Sequence, residues 1–408
     1  MNRKGNLLIY MFSNFISKFI LGLSGILLAR FLTKEDFGLL KTITAFVGLI
    51  GIFVNFGLND FLLFEASKNK ISGFERKIVG NYLLLYTILF PISLVSYFCI
   101  YSKGLFIMVI FYLKLLLDWV SDTIIRVFQA GNKFKVISLL IFVNAILLFL
   151  PVVYLYISKG GLEKYITSLL FVSFISCIIY IFVYNQYNQK EGIKNLISLP
   201  RMDKKILMSS FPFFVSGLMA YVYMQSDILM LSFMKGTVEV GRYAVATTLI
   251  FAAYLLPTVL YNYFLPKLAA AFGERKKLNY FYSQFIILTL VLTLPLAVLL
   301  FVFSEEILRF VYTYKYVDSR YILKILAIVF FFHSLCFVFG AVITASGNQS
   351  LRSKIQILAA ITNVLLNIIF IPLYGAEGAA FTTAMTEVII FSLYWYFSRK
   401  LTYKETCE

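Results

Sequence analysis

Charge is scarce in this chain. Asp, Glu, Lys and Arg together make up 14% of its 408 residues, there is one histidine, and there are four cysteines and eight prolines. Soluble domains carry about 25% charged residues, so an ordinary water-soluble fold is excluded. The single His333 lies inside an apolar run, which leaves no His-based metal or catalytic constellation. Cys99, Cys177, Cys336 and Cys407 lack the short paired spacings of metal ligands, and three of them fall in apolar runs, where thiols pack as small hydrophobes. No Gly-x-x-x-x-Gly-Lys-Ser/Thr loop for a nucleotide occurs. No metal or other cofactor is expected, and any energy source is an ion gradient, the membrane potential or removal of product. The net charge of +17 comes without a soluble basic face, so nucleic acid is not an expected partner.

What remains is apolar: 61% hydrophobic residues and a mean hydropathy of +0.86. A hydrocarbon layer of roughly 30 Å needs about 20 apolar helical residues to cross it. Such runs recur along the whole chain. They predict an all-α polytopic membrane protein of about twelve transmembrane helices, near residues 7–30, 39–66, 78–102, 105–130, 134–157, 162–187, 206–233, 239–269, 278–303, 320–345, 351–373 and 376–398. The run after Met1-Asn2-Arg3-Lys4 is too long for a signal-peptide core, so this segment is expected to be retained. Ser304–Tyr312 reads as a short amphipathic interfacial helix, or else a plain outer loop.

With the N-terminus inside, the inner loops hold about 23 Lys and Arg against about 10 outside, which predicts cytoplasmic termini. The inner clusters are Lys68, Lys70, Arg76 and Lys77; Lys190, Lys194, Arg201, Lys204 and Lys205; and Lys267, Arg275, Lys276 and Lys277. Topology and contact with bilayer lipids account for them. The longest connection sits at mid-chain, giving an N-terminal six-helix lobe 1–187, a cytoplasmic linker 188–205, a C-terminal six-helix lobe 206–398 and a tail 399–408.

The two halves resemble each other. Gly38, Thr44, Asn59, Phe61, Leu62 and Ala66 align in one register with Gly241, Thr247, Asn262, Phe264, Leu265 and Ala269. Asn144 to Pro151 in the fifth span and Asn363 to Pro372 in the eleventh repeat one Asn/Pro pattern, each before a Gly-containing turn. Halves of six helices enter the membrane with the same orientation, giving parallel repeats. Pro91, Pro257 and Pro295 are expected bend points.

Three segments carry a family likeness. They are Leu28-Ala29-Arg30-Phe31-Leu32-Thr33-Lys34-Glu35-Asp36-Phe37-Gly38-Leu39-Leu40, Ser226-Asp227-Ile228-Leu229-Met230-Leu231 followed by Val240-Gly241-Arg242-Tyr243, and Ile371-Pro372-Leu373-Tyr374-Gly375-Ala376-Glu377-Gly378-Ala379-Ala380. In their order and spacing the chain resembles the multidrug/oligosaccharidyl-lipid/polysaccharide (MOP) exporter superfamily. Within it, the chain resembles the Wzx-type polysaccharide repeat-unit flippases that serve O-antigen, capsule or exopolysaccharide biosynthesis.

The resemblance implies two six-helix lobes around a central cavity. It also implies alternating-access movement of a polyprenyl-diphosphate-linked oligosaccharide from the cytoplasmic to the periplasmic leaflet of a bacterial inner membrane, with a polysaccharide polymerase and chain-length machinery as further partners. Such a protein is a carrier, not an enzyme. Two rivals stand beside it: an ion-coupled drug exporter of the same superfamily, against which the intramembrane cations argue, and a membrane glycan polymerase or ligase, which should display a large outer loop that is absent here.

Ionisable residues inside spans are functional candidates by default, because an unpaired charge there costs several kcal/mol. Lys18 lies mid-way along the first span. Lys114, Asp118, Asp122 and Arg126 follow one another at i, i+4 spacing, hence on one stripe of the fourth. These five are candidate substrate-cavity residues for a diphosphate. For Lys18 a carboxylate partner on another helix, and for the stripe two intrahelical ion pairs, are the alternative readings. Asp60, Asp227 and Glu387 are candidates for ion coupling or for structural pairs. His333 reads chiefly as a hydrogen-bonded packing residue. Arg30, Glu35 and Asp36 at the end of the first span, with Glu239 and Arg242 at the repeat-equivalent hairpin, form a candidate gate in which Asp36 meets Arg242.

Overall fold

The computed structural model describes residues 3–68, 74–101, 104–187 and 199–404. Lys70, Lys190, Lys194, Cys407 and most of the expected linker 188–205 lie outside the described residues. Those described form helices and no strand: α1 Arg3–Phe31, α2 Lys34–Asn55, α3 Leu58–Lys68, α4 Phe74–Ile100, α5 Leu105–Ala130, α6 Phe134–Ser158, α7 Leu162–Tyr187, α8 Lys204–Lys235, α9 Thr237–Ala253, α10 Leu255–Ala271, α11 Arg275–Val302, α12 Ser304–Tyr312, a 3-10 turn Tyr314–Ser319, α13 Arg320–Ala345 and α14 Gln349–Lys404.

Ten of the described helical stretches are long and apolar enough to cross a membrane. α5 is not among them because of its four charged side chains. α14, 56 residues long, is broken at Gly375, whose φ of 57° and ψ of −133° no other residue adopts without strain. With α5 counted and α14 read as two passes, the described residues make the twelve passes that hydropathy predicts.

The second and eighth expected spans are each broken in two. Phe56 (φ 44°) and Gly57 (φ 71°) separate α2 from α3. Between α9 and α10 the break falls at Tyr254, three residues before Pro257, which has no N–H to continue the ladder. Hydropathy alone runs across both breaks because the flanking residues stay apolar.

Packing divides the chain into two units: Met1–Leu32 with Leu39–Leu218, and Thr33–Gly38 with Met219–Glu408. This boundary falls inside α8, beyond the expected linker. The reason is local: the first half of α8 is seated in unit 1. Phe214 stacks on Phe56 with ring centroids 4.5 Å apart, and Ile206 joins a core of Val54, Leu58, Leu62, Ile78, Tyr82 and Trp119. A second core in unit 1 joins α5, α6 and α7 through Ile124, Phe128, Ile137, Leu140, Tyr180 and Tyr184. The core of unit 2 is built by α10, α11, α13 and α14, where Phe264 stacks on Phe285 at 4.8 Å.

Thr33–Gly38, the start of α2, packs with unit 2 because two glycines allow it. A Cβ on Gly38 would overlap the Thr237 carbonyl, and one on Gly241 would overlap the Lys34 carbonyl. These are the glycines that align in the sequence repeat, so the two equivalent positions meet face to face. In a membrane, where hydrocarbon gives helices no hydrophobic reason to associate, such backbone approach is a main source of helix affinity.

Gly38→Ala and Gly241→Ala are each expected to cost about 1–3 kcal/mol by overpacking. Thermal unfolding in detergent should show a lowered midpoint for both. Gly22→Ala and Gly217→Ala, which meet nothing within 4 Å, should leave it unchanged or raise it; equal behaviour of the two pairs would refute the contact.

Candidate functional site

Each unit carries its own set of polar side chains at membrane depth. In unit 1 the set is organised by α5. Lys114 Nζ bonds Asp118 at 2.5 Å, and one turn on Arg126 reaches Asp122 at 3.6 Å and Asp60 of α3 at 3.3 Å. The break at Gly57 swings α3 towards α5. Asn59 Nδ2 then donates to Asp122 at 2.8 Å, Thr123 donates to Asn59 at 2.9 Å, and Trp119 Nε1 donates to Asn55 at 3.0 Å. Tyr82 stacks on the Trp119 ring at 3.6 Å and fixes it.

Both intrahelical pairs are therefore made, and Asp60 adds a partner from a second helix. The pairs are not sealed. Asp118, Asp122 and Asp60 keep side-chain exposures of 53%, 45% and 48%. Half-exposed carboxylates at this depth are tolerable only against water or a polar ligand. Lys18, half-way along α1, is exposed and makes no hydrogen bond or ion pair among the described residues. The structure gives no contact between it and the α5 stripe.

Unit 2 does the opposite with Asp227 and Glu387, which are closed off. Asp227 of α8 is 7% exposed and is surrounded by neutral donors. Tyr243 OH donates to Oδ2 at 2.5 Å, Thr383 Oγ1 to Oδ2 at 2.8 Å and Asn367 Nδ2 to Oδ1 at 2.6 Å. Asn367 also donates to Asn363 at 2.9 Å and accepts from Thr382, while Ser226 donates to Asn363 at 2.9 Å. The fold-back at Gly375 places Thr382 and Thr383 beside Asn363 and Asn367 of the same helix.

One turn further along α14, Glu387 is 1% exposed and accepts from Tyr223 of α8 at 2.9 Å. His333 Nδ1 of α13 lies 2.9 Å from its other oxygen. Glu387, a candidate in the sequence, and His333, read there chiefly as a packing residue, are thus one pair.

A third cluster gathers at the start of α9. Arg242 bonds Glu239 at 2.7 Å, Glu377 at 2.9 Å and Asp318 at 3.4 Å, and donates to the Asp318 carbonyl at 3.1 Å. Glu239 in turn accepts from the Ala376 N–H at 2.9 Å, just past the Gly375 break. The structure does not bring Asp36 to Arg242. Asp36 caps its own helix, accepting from Thr33 Oγ1 at 2.8 Å while its N–H donates back at 3.0 Å. The α2 residue that joins the cluster is Lys34, 2.7 Å from Asp318. Glu35 is exposed at the start of α2, and Arg30 is exposed at the end of α1.

Sequence reading missed Asn55, Trp119, Tyr243, Thr383, Asp318, Glu377 and Lys34 as members of these clusters. Only Asn363 and Asn367 left a usable signal: two amides four residues apart on one face of an apolar helix.

A family model described as "Polysaccharide biosynthesis protein" matches residues 4–266, and one described as "MatE" matches residues 212–369. The "Probable low-salt glycan biosynthesis flippase Agl15" of Haloferax volcanii is 24% identical over 203 residues, 49% of this chain and 42% of the relative. The chain therefore spans less than half the length of that relative. The "Putative O-antigen transporter" of Shigella flexneri is 22% identical over 398 residues, 91% of this chain and 92% of the relative. Among solved structures, lipid II flippase MurJ in an inward closed conformation superposes with a TM-score of 0.78 at 18% identity, over 98% of this chain and 90% of that one. That likeness shows a shared fold. With the first family model covering well over half of its length, the chain belongs to the polysaccharide biosynthesis protein family.

Proposed function

We propose that this chain is a flippase. Its substrate is a polyprenyl-diphosphate-linked oligosaccharide repeat unit, moved by alternating access from the cytoplasmic to the periplasmic leaflet of a bacterial inner membrane, with both termini in the cytoplasm. The protein acts as a carrier, not as an enzyme. The observation that carries the reading is Lys18. A cation half-way along a membrane helix with no partner among the described residues needs an anion or water to face it.

The α5 stripe supplies the second element. Its two carboxylates and Asp60 of α3 together outnumber Lys114 and Arg126, so it offers no standing positive charge. It offers cations held by half-exposed partners that a diphosphate can displace, Asp118 from Lys114 first. Exchange of one charged partner for another keeps the cost of desolvation low at each stage.

Asp227 is the place where an ion can drive the cycle. Its charge has no cationic partner among the described residues, only neutral donors. The Lys34–Asp318–Arg242 cluster with the Gly38–Gly241 contact forms a latch that releases Thr33–Gly38 from unit 2 as the periplasmic side opens. In this latch Lys34 replaces Asp36 as the working residue of α2, alongside Arg242 and Glu239.

A second reading, an ion-coupled drug exporter of the same superfamily, is favoured by the MatE match over residues 212–369. Lys18, a cation with no partner among the described residues, weighs against it, since it would repel a drug cation.

Complementation of a flippase-null strain tests the function. Wild type should restore surface polymer and Lys18→Ala with Lys114→Ala should lower it at least about tenfold, with the lipid-linked unit building up inside, as loss of charge-assisted contacts of 1.5–3 kcal/mol would give. Full polymer from the double variant would remove the diphosphate role, and drug resistance without polymer would establish the exporter. For the latch, Phe37→Cys, at a buried position of α2, should react slowly with a membrane-impermeant maleimide in a background without other cysteines. Adding Lys34→Gln should speed labelling several-fold, and an unchanged rate would sink the latch.

A further inference from the structure

His333 is built unlike a packing histidine. Buried polar atoms are normally hydrogen-bonded to protein or to ordered water, so a packing imidazole leaves neither ring nitrogen bare. Here Nδ1 faces Glu387 at 2.9 Å, the ring rests against Tyr254 and Phe337 at centroid distances of 4.7 and 5.3 Å, and Nε2 has no partner among the described residues. The His333 side chain keeps 28% exposure while that of Glu387 keeps 2%. One nitrogen is therefore locked to a sealed carboxylate and the other is open.

The charge of Glu387 needs compensation at this depth. Tyr223 of α8 donates to it and the Cys336 thiol of α13 lies beside it, but both are neutral. Arg352, at the start of α14, is a further cation in the surroundings of His333, and its guanidinium donates to Tyr261 of α10 at 2.9 Å and to Thr344 at 3.0 Å, not to Glu387. Tyr254, between α9 and α10, completes the titratable groups around the pair. Protonation of the ring is thus the means of cancelling the carboxylate through direct contact.

We propose that His333 and Glu387 form a proton-binding dyad, loaded and unloaded through Nε2. A proton from the open face binds the Nε2 lone pair of the neutral ring. Nδ1 keeps its own proton and donates it to Glu387 throughout, so the pair passes from a net charge of −1 to zero, and release reverses the step. The dyad shares its supports with the Asp227 site. Glu387 stands four residues after Thr383 on α14, and Tyr223 four before Asp227 on α8, so each helix presents both sites on one face. A change of charge at the dyad bears on the two helices that hold Asp227. This deepens the flippase reading, on which its use in transport rests, by naming a proton as an ion that drives the cycle.

The only histidine in the chain makes the test direct. Protein carrying 15N-histidine, in liposomes without substrate, is followed by solid-state NMR from about pH 5 to 9, the range in which imidazole titrates. The ring should pass from two N–H groups to one, and Glu387→Gln should weaken its proton affinity at least tenfold. A ring that stays neutral or stays charged across the range overturns the proposal, as does a change smaller than tenfold in Glu387→Gln. Should that variant not fold, the wild-type titration still decides. No transport enters this measurement, so failure of complementation and failure of the dyad are separate results.

Discussion

Hydrocarbon does not solvate charge, and the arrangement of this protein follows from that. A carboxylate or ammonium at membrane depth either brings its partners with it or faces an opening, because the alternative costs several kcal/mol. The two units meet the constraint in different ways. Unit 1 pairs opposite charges along α5 and leaves them half open, whereas unit 2 encloses Asp227 in hydroxyls and amides and Glu387 against one imidazole. An open ion pair can exchange its partner for a ligand. A sealed carboxylate responds only to something as small as a proton or a bare ion.

The helix breaks make these clusters possible. Straight helices present one face to each neighbour, and Asn55, Asn59 and Asp60 would not all reach α5 from an unbroken second span. The positive φ at Phe56 and Gly57 changes the face that α3 offers, which lets Asn59 bond both Asp122 and Thr123. At the other end of the chain Gly375 folds α14 back so that its own Asn367 and Thr382 meet, and its first N–H past the break binds Glu239. The same few residues thus serve the fold and the polar clusters. Side chains on Gly38, Gly57 or Gly375 would strike the Thr237 carbonyl, the Phe214 amide or the Glu239 carboxylate.

The extent to which this was legible in the sequence depends on the range of each interaction. The twelve passes are local properties, set by some 20 residues each. The pairs Lys114–Asp118 and Asp122–Arg126 are local too, because i, i+4 spacing on a helix fixes proximity. The partners of Arg242 are not. Glu377 lies 135 positions away and Asp318 lies 76 away, and no periodicity joins them. The repeat aligned Gly38 with Gly241, but alignment states equivalence and not contact. The expected Asp36–Arg242 pair failed for a local reason: Thr33 offers Asp36 a capping bond one turn away, which leaves Lys34 as the residue that reaches out. The boundary in α8 was hidden because an unbroken apolar helix shows no composition change where it passes from one core to the next.

The repeat also explains why the polar residues differ so much between halves that keep the same glycines and asparagines. Positions that hold backbone against backbone, such as Gly38 and Gly241, serve the same purpose in each half and stay alike. Asn144 and Asn363 likewise each accept a bond from a serine of a neighbouring helix, Ser176 at 2.7 Å and Ser226 at 2.9 Å. Around that shared frame unit 1 adds cations and half-open acids, and unit 2 adds buried acids with neutral donors. If the chain works as proposed, holding a large anion and drawing on a small ion, it gains from keeping the two tasks apart. A charge strong enough to bind a diphosphate would, if placed beside Asp227, pair with that carboxylate and end its response to the ion. Division of the polar residues between the units prevents that neutralisation.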